Sequence, residues 1–175
     1  MNCLNKISLG MTLLFASAST LAYDGTVNFN GEIIDNGCKV ALSSDNAGSM
    51  IVSMGKVSKS GLTGGKGMIS TPVQFNLTLT ECPALTAQVK FDGAIHESDP
   101  NALAISTGTN AAENIGIQIY DEGMEKVPMF TASRSFQLKE NQENNLKFYA
   151  SYISTADTVK AGTANAFANF TINYN

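Results

Sequence analysis

The chain closes on residues 162–175, Gly-Thr-Ala-Asn-Ala-Phe-Ala-Asn-Phe-Thr-Ile-Asn-Tyr-Asn, and this run limits the fold more than any other. Ala166, Ala168, Phe170, Ile172 and Tyr174 alternate with Phe167, Asn169, Thr171 and Asn173, the period of a strand with one face on a core. A soluble domain rarely stops on such a strand without a turn and a partner strand after it. Near the start, Gly25 to Ile34 offers a second strand of the same character, just ahead of Cys38. One strand lacks a neighbour and the other is available to be lent. The pair implies assembly by donation of strands between chains.

Residues 1–22 read as a signal peptide. Lys6 supplies the positive start, Ile7 to Ala16 a short apolar run, and Ser17 to Ala22 a small-residue stretch with Thr20 and Ala22 where a signal peptidase would read. Cleavage is expected after Ala22, with Ala18 as the alternative, and Cys3 leaves with the leader. The apolar run is too short to span a bilayer, and no later run is longer. With 11 basic and 15 acidic residues, and Arg134 as its only arginine, the chain has no footprint for nucleic acid or anionic lipid. These features imply export without membrane embedding.

Cys38 and Cys82 remain after the leader. An even pair in an exported chain reads as a disulfide. The closed loop of about 45 residues corresponds to about 4 kcal/mol in the chain-entropy account. A metal site is the competing reading. It would need further Cys or His ligands, and His96 is the only histidine.

Strand signals recur along the rest of the chain and no helical period does. Val73, Phe75, Leu77 and Leu79 alternate with polar residues up to Glu81-Cys82-Pro83. Val89 and Phe91 flank Lys90. Ile115, Ile117 and Ile119 alternate up to Asp121, and Leu146, Phe148, Ala150 and Tyr152 form a further set. Met50 to Val52 and Val127 to Phe130 are shorter candidates. Turn-rich stretches separate them at 43–49, 58–67, 98–101, 108–114 and 139–145. One-sided alternation between such loops predicts a single antiparallel β-sandwich.

Two stretches carry a hint of chemistry. Residues 61–67 hold a Gly-Gly-Lys-Gly run, but a phosphate loop needs Gly where Ser60 stands and Ser or Thr where Gly67 stands. A strand-connecting loop is the reading. His96-Glu97-Ser98-Asp99 sets a base, carboxylates and a hydroxyl side by side, yet four consecutive residues cannot converge as a triad does. Asn76-Leu-Thr78 and Asn169-Phe-Thr171 match glycosylation sequons inside predicted strands, as chance matches would. No enzyme and no cofactor are expected.

Taken together, the end strands, the cysteine pair and the sandwich pattern resemble the structural pilins of the chaperone–usher pathway, of the type 1-like kind. Gly25 to Cys38 looks like that family's N-terminal extension running into its first cysteine, and Phe75 to Cys82 like the strand ending at its second. Asn114 to Asp121 resembles its internal Gly-hydrophobic-Gln strand. Gly162 and Tyr174 match the glycine fourteen positions from the end and the penultimate tyrosine.

The resemblance implies an all-β, incomplete immunoglobulin-like sandwich lacking its final strand, completed by a donor strand from another chain. It implies a signal peptide over 1–22, a donor extension over 23–35 and a pilin domain over 36–175. Val27, Phe29, Gly31 and Ile33 would enter a neighbour's groove, with Gly31 where a side chain would clash with the groove floor. The acceptor groove, and the strand a chaperone engages, would be Gly162, Ala166, Ala168, Phe170, Ile172, Tyr174 and Asn175. The implied partners are identical or related pilins, a periplasmic chaperone holding the Asn175 carboxylate, and an outer-membrane usher. The implied function is a major shaft subunit of a cell-surface fimbria that supports adhesion, reached through the periplasm. The alternative is a self-contained exported β-sandwich that binds a glycan or small ligand.

Overall fold

The computed structural model describes residues 27–31, 33, 37–41, 49–83 and 86–175, so the expected signal peptide lies outside the described residues. The chain divides between Ile33 and Ile34. In the first unit, residues 27–31 and 33 belong to no strand. Every described element belongs to the second.

Among the described residues there are ten strands: β1 Lys39–Ala41, β2 Val73–Thr80, β3 Thr86–Gly93, β4 Ile95–His96, β5 Asp99–Ala104, β6 Ile115–Asp121, β7 Lys126–Val127, β8 Phe136–Gln137, β9 Asn144–Ser154 and β10 Ala168–Tyr174. They pair antiparallel in two sheets. The larger runs β1-β2-β9-β6-β5-β4, with β7 also on β6, and the smaller runs β10-β3-β8. The fold is all-β, as the alternation predicts. Met50 to Val52 lies outside the strands, and Phe130 takes a left-handed turn conformation two residues after Pro128 rather than extending β7.

The core forms because the inward residues of each strand meet across the sandwich. Leu77 and Leu79 of β2, Leu146 and Phe148 of β9, and Val89 and Phe91 of β3 are buried together. Phe148 is the hub. Its ring stacks on Phe75 at 5.7 Å and meets Phe91 at 5.2 Å and Phe136 at 5.5 Å edge-on, joining the two sheets. Aromatic pairs at these spacings favour offset and edge-to-face geometry because ring edges are positive and faces negative.

Residues 98–101, expected as a loop, are instead the end of a tight turn and the start of β5. The register shifts between the Ile95–Leu103 and His96–Asp99 pairs, and Pro100 falls in that irregularity, where it need not donate to the ladder. Through β5 this hairpin pairs with β6, Leu103 opposite Ile117 and Ala104 opposite Gly116, and a Cβ on Gly116 would come within 3.0 Å of the Ala102 Cβ. Gln118 Nε2 donates to the Asn101 carbonyl at 3.4 Å and to that of Ile119 at 3.1 Å. All of β6 is therefore buried, on both faces.

Candidate strand-acceptor site

The smaller sheet ends at β10. Asn175 exchanges both backbone hydrogen bonds with Thr86, each at 2.9 Å. By the alternation of an antiparallel ladder, Asn173, Thr171 and Asn169 also direct their backbone groups at β3. The N–H and C=O groups of Ala168, Phe170, Ile172 and Tyr174 then point to the opposite edge, which no described strand covers.

Those same residues carry the core-facing side chains. In β3, which has neighbours on both sides, Ala87, Val89 and Phe91 are buried. In β10 the corresponding residues remain half-buried although they pack on the same core. The difference is the missing neighbour. Half-buried apolar side chains beside an unpaired edge invite another extended segment, by hydrogen bonding and by side-chain burial.

Of the residues expected on this strand, Ala168, Phe170, Ile172 and Tyr174 lie in β10, Asn175 pairs just beyond it, and Ala166 precedes it on the same half-buried face. Gly162 stands apart. The strand begins at Ala168, and Gly162 sits against the 110–112 main chain, where a Cβ would come within 2.5 Å of the Asn110 carbonyl oxygen. Thr163 donates its N–H to that same oxygen at 2.7 Å. The glycine is there so that the chain can cross this loop closely on its way into β10.

The other end of β10 is pinned. The Tyr174 hydroxyl accepts a hydrogen bond from the Cys38 N–H at 3.0 Å. A Cβ on Gly37 would come within 2.9 Å of the Tyr174 ring. Cys38 is joined to Cys82 by a disulfide, which holds the start of β1 to the end of β2. No sequence pattern announced the contact between Tyr174 and Gly37, since the two are far apart in the chain.

The expected donor residues lie in the other unit. Val27 is 75% exposed, Phe29 92% and Ile33 100%, while nothing lies within 4 Å of where a Gly31 side chain would begin. An apolar stripe left this exposed needs a partner to cover it.

The loops that hinted at chemistry serve the scaffold. Gly64 and Gly67 donate their N–H groups to the Asp157 and Ser154 carbonyls at 2.9 and 2.8 Å, and Lys66 Nζ donates to the Ser98 carbonyl at 2.7 Å. These two amides of the loop are spent on β9 and its extension. His96 Nδ1 accepts from the Ser98 N–H at 3.1 Å, and its Nε2 lies 3.3 Å from the Thr155 hydroxyl, so its ring bridges two loops. Among the described residues, no three His, Cys, Asp or Glu side chains gather as metal ligands, and no helix is long and apolar enough to cross a membrane.

Residues 27–175 match the family of fimbrial proteins. The chain belongs to the fimbrial protein family. It is 32% identical to the probable major fimbrial subunit LpfA of Escherichia coli O157:H7, an alignment covering 98% of this chain and 97% of that one. Among solved structures it is similar to a Burkholderia pseudomallei antigen and type I fimbria protein, at TM-score 0.62 and 31% identity over 86% of this chain and 97% of that one. It is also similar to a subunit of a chaperone–usher pilus, at TM-score 0.64 and 26% identity over 90% and 100%. The fold is thus that of a fimbrial subunit, an immunoglobulin-like sandwich short of one strand.

Proposed function

We propose that this fimbrial protein is a structural pilin, a shaft subunit that polymerises into a surface fimbria by donor-strand exchange. The observation that carries the reading is the open edge of β10 with its half-buried apolar face, in a chain that also exposes a matching stripe at Val27, Phe29 and Ile33. The stretch 27–33 is as long as the seven residues of β10. Strand addition of this kind to a sheet edge, pilin complementation included, is an established mode of peptide recognition. Main-chain bonds would supply affinity, and alternate side chains would fill the groove.

Val27, Phe29 and Ile33 would each contribute on the order of 1.5–3 kcal/mol by leaving water for a neighbour's groove. Gly31 would lie where the donor backbone approaches the core most closely. Before assembly the open edge would need cover, which the route through a periplasmic chaperone and an outer-membrane usher would provide. Similarity to a probable major subunit favours the shaft.

The test compares the domain beginning after Ile34 with the same domain carrying residues 23–35 after Asn175 through a flexible linker. The linker lets the added strand return antiparallel along β10. A large rise in unfolding midpoint and loss of aggregation are expected. Equal midpoints in two soluble monomers would overturn the reading.

A further inference from the structure

Residues Asn30 and Gly31 sit in the middle of the exposed stripe, and Asn-Gly is the sequence most prone to intramolecular attack on a side-chain amide. The reaction needs the nitrogen of the next residue to reach the Asn side-chain carbonyl carbon. Glycine leaves that nitrogen unhindered and the local chain free to adopt the required turn. Asn30 and Gly31 are exposed, belong to no strand, and have no atom within 4 Å of the missing Gly31 Cβ. The backbone N–H of Gly31 is therefore not held in a ladder. We propose that Asn30–Gly31 is a self-modification site of the unassembled subunit, where deamidation removes chains that have waited too long to be polymerised. The inference rests on the donor-strand reading for its consequence and on the local chemistry for its occurrence.

The steps balance without any further reagent than water. The Gly31 nitrogen loses its proton and bonds to the Asn30 Cγ, and the side-chain nitrogen leaves as ammonia. The resulting five-membered imide takes up one water and opens at either carbonyl. One opening gives aspartate. The other gives isoaspartate, in which the main chain runs through the former side chain and is longer by one methylene.

That extra methylene falls between Phe29 and Ile33. A strand's side chains alternate with a period of two, so a main-chain insertion throws the residues on either side of it out of phase. Val27 and Phe29 could then enter a groove, or Ile33 could, but not all three in register. Once a donor strand is paired, its ladder hydrogen bonds and extended backbone hold the Gly31 nitrogen away from the amide, so assembly protects the site.

The chain contains its own comparison, a second Asn-Gly pair at Asn36–Gly37. From Gly37 onward the main chain is held: Gly37 is packed beneath the Tyr174 ring, and the next N–H, of Cys38, is bonded to the Tyr174 hydroxyl.

The experiment ages unassembled full-length subunit from periplasmic extract and purified fimbriae in parallel, at mildly alkaline pH and 37 °C. Peptide mass mapping with enzymatic isoaspartate labelling then reads each pair. In the unassembled subunit Asn30 is expected to convert several-fold faster than Asn36, and Gly31→Ala to slow it several-fold. In fimbriae Asn30 is expected to persist, and aged subunits carrying isoaspartate should be depleted from newly formed fimbriae. Conversion of Asn30 no faster than Asn36 in the unassembled subunit would overturn the proposal. Equally fast conversion of Asn30 in fimbriae would leave the modification site standing and overturn the donor-strand reading instead.

Discussion

At the scale of single residues, two long-range contacts set the ends of β10. Tyr174→Phe removes the acceptor of the Cys38 N–H and nothing else. A loss of roughly 0.5–1.5 kcal/mol in urea unfolding is expected, with no change in the slope of the transition. Gly162→Ala is harsher, because the added methyl would meet backbone atoms of residues 110–112 at 2.5 Å rather than a side chain that can turn aside. A loss of about 1–3 kcal/mol is expected by the same measurement. Gly162 stood out in the sequence only through the family resemblance, while Tyr174 also belonged to the alternating set. Neither lies in a local pattern that reveals its neighbour, since what each touches is remote in sequence.

At the scale of elements, the donor stretch and β10 can be separated by a single substitution. Phe29 is almost fully exposed in the subunit, so Phe29→Ala should leave the unfolding midpoint of the free subunit unchanged. In the fimbria the same change should weaken each joint by on the order of 3 kcal/mol, seen as dissociation of the polymer at lower denaturant concentration. Equal effects in both states would mean that Phe29 packs within its own subunit. The alternation over 166–174 was legible in sequence because one face meets a core, and it survives with the expected parity. The hairpin of β4 and β5 was not legible, because its Pro and turn residues read as a loop while its place is set by β5 pairing with β6. β1 and β8 escaped for a different reason: each is too short to show a period.

At the scale of the whole molecule, the two sheets are joined by the aromatic cluster around Phe148, and a cluster of surface charge sits beside the larger one. Phe148→Ala empties the centre of that cluster and should cost about 3–5 kcal/mol in denaturant unfolding. Glu122 accepts hydrogen bonds from Lys147 and Arg134, at 3.1 and 2.8 Å. The bond and charge of Lys147 first, and Arg134 second, hold its carboxyl below the usual value of 4.5. A carboxylate depressed in the folded state adds stability above its unfolded pKa, and loses it as the pH falls through the folded one. Lys147→Met should therefore flatten the acid limb of the stability–pH profile below about pH 5, with little change in slope at neutral pH. Added salt should shrink the difference, since these groups are solvent-exposed.

What the sequence determined by itself was local: the strand period, the leader-like start, the even cysteine pair and the apolar stripe at 27–33. Each is written in nearest neighbours or in a period of two, and needs no knowledge of what lies across the sandwich. The sequence already pointed to an unpartnered C-terminal strand, and the tertiary structure decided how its edge stays open. That depends on β10 joining β3 at the margin of the smaller sheet, a pairing between segments some eighty residues apart in sequence, as the Asn175–Thr86 hydrogen bonds show. It also decided that Gly162 serves a close backbone crossing and that Tyr174 clasps the disulfide-linked start of β1. Such contacts arise from the path of the whole chain, and the energy that selects them is shared among residues that no local pattern connects.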